Sequence, residues 1–253
     1  MIPRVIPRVP DSFGGRRVTL LLLRNTRKTE LRRLGKAPKF LIRLRAAGPF
    51  ALYWASVTEQ TTNQTMRRFE ETGAYLNGHF RLTSGLHSPE FLQCAKVLQH
   101  PAIAAEFGER LAAEFRTLAG TVDLVVAPAM GGLIIGHEVA RALGVRFIFT
   151  ERDPDAKMVL RRGFSLQAGE RAVLVEDVIT TGGSSVEVIA LIQSLGANVL
   201  AAGSIIDRSG GKADVGVPRV ALATLNATTY QPEVCPLCQQ GLPVVKPGSR
   251  PGK

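Results

Sequence analysis

Short apolar runs alternating with stretches of helical spacing constrain the fold of this chain more than any other feature. The runs are VDLVVAP (122–128), RFIFT (146–150), RAVLVED (171–177), NVLAAGSIID (198–207) and RVALATL (219–225). Runs this short and this continuously apolar read as strands buried on both faces. Ile103, Phe107, Leu111, Phe115 and Leu118 recur every three or four residues between Pro101 and Leu118, which sets them along one helical face. GGLIIGHEVARAL and SSVEVIALIQSLG repeat the pattern, and the polar stretch ERDPDAK leads into a further strand, MVLRRGFSL. Strands alternating with helices predict an α/β domain with a central, mostly parallel sheet flanked by helices. Ligands of such sheets bind beyond the carboxyl ends of the strands.

The stretch AVLVEDVITTGGSSVEVI (172–189) carries chemistry at such an end. A buried strand delivers Glu176 and Asp177, and Thr180, Thr181, Gly182, Gly183 and Ser184 then turn into a helix. Glycines let a ligand approach the backbone, and free amides at a helix start, with three hydroxyls beside them, suit a phosphate monoester. No lysine follows the glycines, so this is not a Walker loop. Paired carboxylates beside a phosphate cradle fit a ligand that also donates hydrogen bonds, such as a ribose with vicinal hydroxyls. They would also stabilise positive charge developing on a sugar carbon and help hold a metal through water. The plainer reading is an acidic strand end followed by a Gly-rich helix cap.

The formal net charge of +11 raises nucleic acid as a partner only until its location is read. Residues 1–56 hold 13 Lys and Arg against Asp11 and Glu30, which leaves 19 residues of each sign in 57–253. The expected domains are therefore a basic leader, 1–56, and a charge-balanced body, 57–253. The leader has prolines at 3, 7 and 10 and no apolar stripe, and is expected to be disordered or a non-native extension, with the true start near Val57 or Met66. A transit peptide or a basic arm for nucleic acid are the other readings. The longest apolar stretch of the leader is too short to span a bilayer, and Cys94, Cys235 and Cys238 are too few for a disulfide framework. A reducing, cytoplasmic location without a membrane partner is expected.

The segment from Glu176 to Ser184 resembles the phosphoribosyl-diphosphate signature of the type I phosphoribosyltransferases. GAYLNGHFRLTSGLHSPEF (73–91), with Ser84-Gly85 and Ser88-Pro89, resembles the amino-terminal hood of the orotate phosphoribosyltransferases. APAMGG (127–132) resembles the turn that receives the diphosphate, and Asp207-Arg208 the strand end whose arginine meets the orotate carboxylate. The matches cover about 66–225. They imply the type I phosphoribosyltransferase fold with a hood (about 66–100), a core (about 101–229) and a tail (230–253), the tail's CPLC and KPGSR resembling the end of some members.

The implied activity is transfer of ribosyl 5-phosphate from phosphoribosyl diphosphate to orotate, with Mg²⁺ bound through the substrate rather than directly by protein ligands, in a homodimer of pyrimidine biosynthesis. Glu176 and Asp177 would take the ribose hydroxyls, the run Thr180, Thr181, Gly182, Gly183 and Ser184 the 5′-phosphate, and Gly131-Gly132 the diphosphate, with Val178 and Ile179 also part of the phosphoribosyl-diphosphate site. Thr180, Arg208, Ser84 and Gly85 would bind orotate. The chain departs from the family pattern at Thr83 and Gly131, where many members have lysine, and its mobile loop has no histidine. Lys157 and Arg152 are the expected catalytic cations there, with Arg161 and Arg162 equally readable as a solvated hairpin. The alternatives are a regulator that binds phosphoribosyl diphosphate and a purine-base transferase, both disfavoured by the hood; nucleic acid is not an expected partner. Cys235-Pro-Leu-Cys238 has the spacing of half a zinc site without a second pair in the chain, and is expected to be two ordinary thiols unless two copies meet across a dimer axis. His79, His87, His100 and His137 show no metal-ligand spacing; His79 and His87, flanking the hood segment, are expected to serve packing or substrate orientation.

Overall fold

The computed structural model describes residues 49–82 and 84–247. The leader to residue 48, Thr83 and the KPGSR end from residue 248 lie outside the described residues. Helix α1 (Pro49–Glu71) is followed by the strands β1 (Tyr75–Arg81) and β2 (His87–Leu92) and the short helix α2 (Cys94–Leu98). The core then runs α3 (Pro101–Leu118), β3 (Leu124–Pro128), α4 (Gly132–Leu143), β4 (Arg146–Arg152), β5 (Met158–Leu160), β6 (Arg171–Ile179), α5 (Gly183–Ser194), β7 (Asn198–Asp207) and β8 (Arg219–Thr224). A 3-10 turn (Pro232–Val234) and the single-turn helix α6 (Pro236–Gln239) lie in the tail. No helix among the described residues is long and apolar enough to cross a membrane.

The six core strands lie in the order β5-β4-β3-β6-β7-β8, all parallel except β5, which pairs antiparallel with β4. The chain enters at β3, builds outward through β4 and β5, then crosses back to β6 and builds the other way. The strand order therefore reverses between β3 and β6, and their carboxyl ends open a crevice there. Side chains alternate across the sheet as the period of a strand requires. Val125, Val173 and Val175 meet Phe107, Leu111 and Phe115 of α3 and Ile135 and Val139 of α4 on one face; Val126, Ala172 and Leu174 meet Val188, Ile189 and Ile192 of α5 on the other.

Helix α3 has the expected bounds, with Pro101 in its first turn, but its buried face is made of Ala104, Phe107, Gly108, Leu111, Ala112 and Phe115, while Leu118 is exposed. The strand expected over MVLRRGFSL stops at Leu160, because Arg162 takes φ +61° and turns the chain. Helix α1 runs across the boundary placed at residue 56 and docks on the core: Phe69 stacks on Phe107, and Arg68 donates to Glu106 at 2.7 Å. The hood is the β1–β2 hairpin, flanked on both sides by the tail. Phe80 bridges Val245, and His87 exchanges two backbone hydrogen bonds with Tyr230. A two-stranded hairpin is marginal by itself, so these flanking segments matter to its persistence.

Candidate active site

Strand β6 continues two residues past the acidic pair, and Glu176 sits in register with Ser204 of β7. Consecutive strand residues point to opposite faces, so Glu176 and Asp177 do not stand side by side. Glu176 is buried toward α5, where it accepts a hydrogen bond from Ser185 Oγ at 3.3 Å. Asp177 lies toward the β3 turn, with Oδ1 accepting the Val178 N–H at 2.8 Å. A Cβ at Gly131 would stand 2.5–2.7 Å from the Asp177 carboxylate, so the glycine allows the turn after β3 and the acid to close on each other. Burial pushes the Asp177 carboxyl above the ordinary carboxylate range, against the backbone N–H groups that hold it down.

The turn after β6 has the form that the sequence suggests. Thr180 and Thr181 are exposed, Gly182 takes φ +83° in the left-handed region, and α5 begins at Gly183 with Ser184 half-buried. The first amides of α5, which have no partner within the helix, therefore lie at the sheet's carboxyl end. Val178 and Ile179 belong to the strand: Ile179 is buried, and its carbonyl accepts the Arg208 N–H at 2.8 Å. On the β3 side Ala129 N–H bonds the Thr150 carbonyl, and Gly132 opens α4 so close to β6 that an added Cβ would lie 2.9 Å from the Val175 carbonyl.

Arg208 leaves the end of β7 into a pocket lined by Met66, Tyr75, Glu90, Leu92, Leu225, Asn226 and Ala227. Burial lowers the Arg208 pKa, and the Glu90 carboxylate opposes that; a guanidinium remains charged regardless. Tyr75 donates to Glu90 at 2.7 Å, and this bond pushes the phenol up to about 12. A fixed cation in a pocket beside one acid and one phenol suits a small anionic group such as a carboxylate. Asp207, adjacent in sequence, has another task. It is buried, which alone would raise its pKa, but Ser209 and Arg219 hydrogen bonds bring it below the ordinary range and tie down the following loop.

The remaining expected site residues are placed apart. Ser84 is exposed and Gly85 takes φ +88° in the turn at the tip of the hood hairpin, and neither lines the Arg208 pocket. On the β4–β5 hairpin, Arg152 pairs with Glu187 of α5 at 2.8 Å and Arg162 with Glu151 at 2.7 Å. Lys157 and Arg161 are exposed, with no ion pair among the described residues. Sequence reasoning missed Tyr75, Glu90 and Met66 as pocket residues. Their signal was weak: Tyr75 and Glu90 meet only across a hairpin whose register shifts between Asn77 and Phe80.

Residues 93–227 match the phosphoribosyl transferase domain family. The chain is 56% identical over 182 residues to the orotate phosphoribosyltransferase of Desulforamulus reducens, covering 72% of this chain and 94% of that protein. Among solved structures, orotate phosphoribosyltransferase from Aeropyrum pernix superposes with TM-score 0.54 at 27% identity, over 63% of this chain and 92% of that one. Leishmania donovani UMP synthase matches in fold with TM-score 0.55 at 23% identity, over 64% of this chain; the chain spans 36% of that protein's length.

Proposed function

The chain belongs to the orotate phosphoribosyltransferases within the phosphoribosyltransferase family, and from that premise we propose how its own residues move ribosyl 5-phosphate from phosphoribosyl diphosphate to N1 of orotate. The products are orotidine 5′-monophosphate and diphosphate, a step of pyrimidine biosynthesis. The observation that carries the reading most is the meeting of the Gly131 turn with Asp177 at the strand-order reversal, one strand from the Arg208 pocket.

In the proposed reaction the bond from C1′ to the diphosphate oxygen breaks as the bond to N1 of orotate forms, with positive charge gathering on the ribose between them and the N1 proton passing to the departing diphosphate or to water. The amides and hydroxyls from Thr180 to Ser184 hold the 5′-phosphate. Asp177, with Glu176 from the other side of the strand end, accepts from the ribose hydroxyls and stabilises the developing charge. Gly131 and Gly132 let the diphosphate reach backbone amides, Arg208 takes the orotate carboxylate, and Thr180 borders the ring. Ser84 and Gly85 at the hood tip would close over orotate. Lys157, exposed on its turn, is the cation for the leaving diphosphate, while Arg152 is already engaged by Glu187.

The carboxylate oxygens of Glu176 and Asp177 are the hard donors that Mg²⁺ prefers, and they fit an ion held mainly by substrate phosphates with water between. When bound, Mg²⁺ neutralises the leaving group. The proposal extends to a homodimer, with the Lys157 turn serving the neighbouring subunit, and to the cytoplasm, where the three free thiols would stay reduced. The test is the loss of orotate absorbance with phosphoribosyl diphosphate and Mg²⁺. Turnover that stops when either substrate is omitted is expected. Binding of phosphoribosyl diphosphate without turnover would point to a regulator, and consumption of adenine instead of orotate to a purine-base enzyme.

A further inference from the structure

His79 and His87 of the hood and Cys235 and Cys238 of the tail converge on one point. One ligand atom from each lies within 4.8 Å of every other. Cys238 Sγ is 3.3 Å from His87 Nδ1 and 3.7 Å from His79 Nε2, Cys235 Sγ is 3.6 Å from His79 Nε2, and the two ring nitrogens are 2.8 Å apart. Metal bonds of about 2.3 Å to sulfur and about 2.0 Å to nitrogen place tetrahedral ligands roughly 3.3–3.8 Å from one another. The three sulfur–nitrogen distances fall in that range, and the nitrogen pair is about half an ångström short of it.

Three local features set up this convergence. The register shift in β1 places His79 and His87 diagonally on one face of the hairpin, and Cys235 sits at the N-cap of the single turn of α6 that carries Cys238. His79 Nδ1 lies 2.8 Å from the Leu242 carbonyl, which turns Nε2 toward the cluster. His79, His87 and Cys235 are buried, and neither cysteine is in a disulfide. We propose that His79, His87, Cys235 and Cys238 form a structural zinc site that fastens the tail to the hood. The ligand set S₂N₂ selects zinc among common divalent ions, and four protein ligands leave no open position for chemistry. This expectation replaces both the pair of ordinary thiols and the Cys₄ site across a dimer axis: the second half of the site is supplied by the histidines of the same chain.

The test is metal analysis of the full chain purified without chelator under reducing conditions. One zinc per chain is expected, lost in Cys235→Ser and in Cys238→Ser. Replacement by Co²⁺ in the unmodified protein should give an intense thiolate-to-cobalt charge-transfer band and the visible bands of tetrahedral coordination, a readout that needs no variant to fold. A strong chelator should lower the thermal midpoint, and added Zn²⁺ should restore it. The proposal is overturned if the unmodified chain takes up no zinc from an equimolar solution, if cobalt binds without thiolate charge transfer, or if well-folded cysteine variants keep their zinc. In the first case the cluster is a hydrogen-bonded pair of rings with two thiols beside it.

Discussion

The carboxyl ends of β3, β6 and β7 and the junction of hood and tail both gather reactive side chains, but they are built in opposite ways. At the sheet, Glu176, Asp177 and the Gly-rich turn from Thr180 to Ser184 come from one uninterrupted stretch, and β6 lies buried between two parallel neighbours. At the junction, groups 8, 151, 156 and 159 positions apart in sequence come into contact. The first region is placed by the core, which would position it whether or not a ligand is bound. The second rests on a two-stranded hairpin and a tail held by a few backbone bridges, so a cross-link is worth more there.

The sharpest contrast should come from Phe115→Ala, which empties a fully buried ring position against the sheet. A loss of about 3–5 kcal/mol in unfolding free energy is expected by denaturant titration, lowering the whole core together. Asp177→Asn should leave the unfolding curve nearly unchanged while turnover falls by about 10²–10³-fold, the scale of a lost transition-state charge contact. Unchanged turnover would remove Asp177 from the ribose. Arg208→Ala should raise the KM for orotate about tenfold, as expected for one lost charge-assisted bond, with the KM for phosphoribosyl diphosphate little moved. An equal rise in both would break the separation between pocket and cradle. At the junction, Cys238→Ser should affect the KM for orotate more than kcat, because His79 and His87 are the stems of the Ser84-Gly85 turn; a fall in kcat alone would join the two regions functionally.

The smallest effect concerns the amino end of the sheet, remote from both. Two Arg171 side-chain bonds and its backbone N–H hold Asp123 down at about 2. Its folded value is depressed, so its contribution is present above about pH 4 and lost as pH falls toward 2. Asp123→Asn should flatten acid unfolding slightly in that window, as followed by circular dichroism.

Legibility in the sequence follows the same division. Helix α3 could be read with its bounds because Pro101 opens it and Phe107, Leu111 and Phe115 mark its face. Helix α1 could not, since one of its buried positions is Thr65, whose hydroxyl bonds the Leu222 carbonyl and whose polarity breaks any apolar stripe. The acidic pair and its Gly-rich turn were legible as a motif, but the opposite orientations of Glu176 and Asp177 depended on β6 continuing to Ile179. The cysteine pair was visible as half a site. Its histidine partners were hidden, because a hairpin register shift and a tail more than 140 residues distant decide where those rings meet.

By itself the sequence determined the sheet, its strand-order reversal and the Gly-rich turn after β6, because buried strands and the turns that end them are encoded by neighbours in the chain. Only the tertiary structure decided that Arg208 shares a pocket with Tyr75 and Glu90, and that two imidazoles meet two thiols. Both depend on long-range packing of hood, tail and core, where the contact is set by geometry that no local pattern of residues carries.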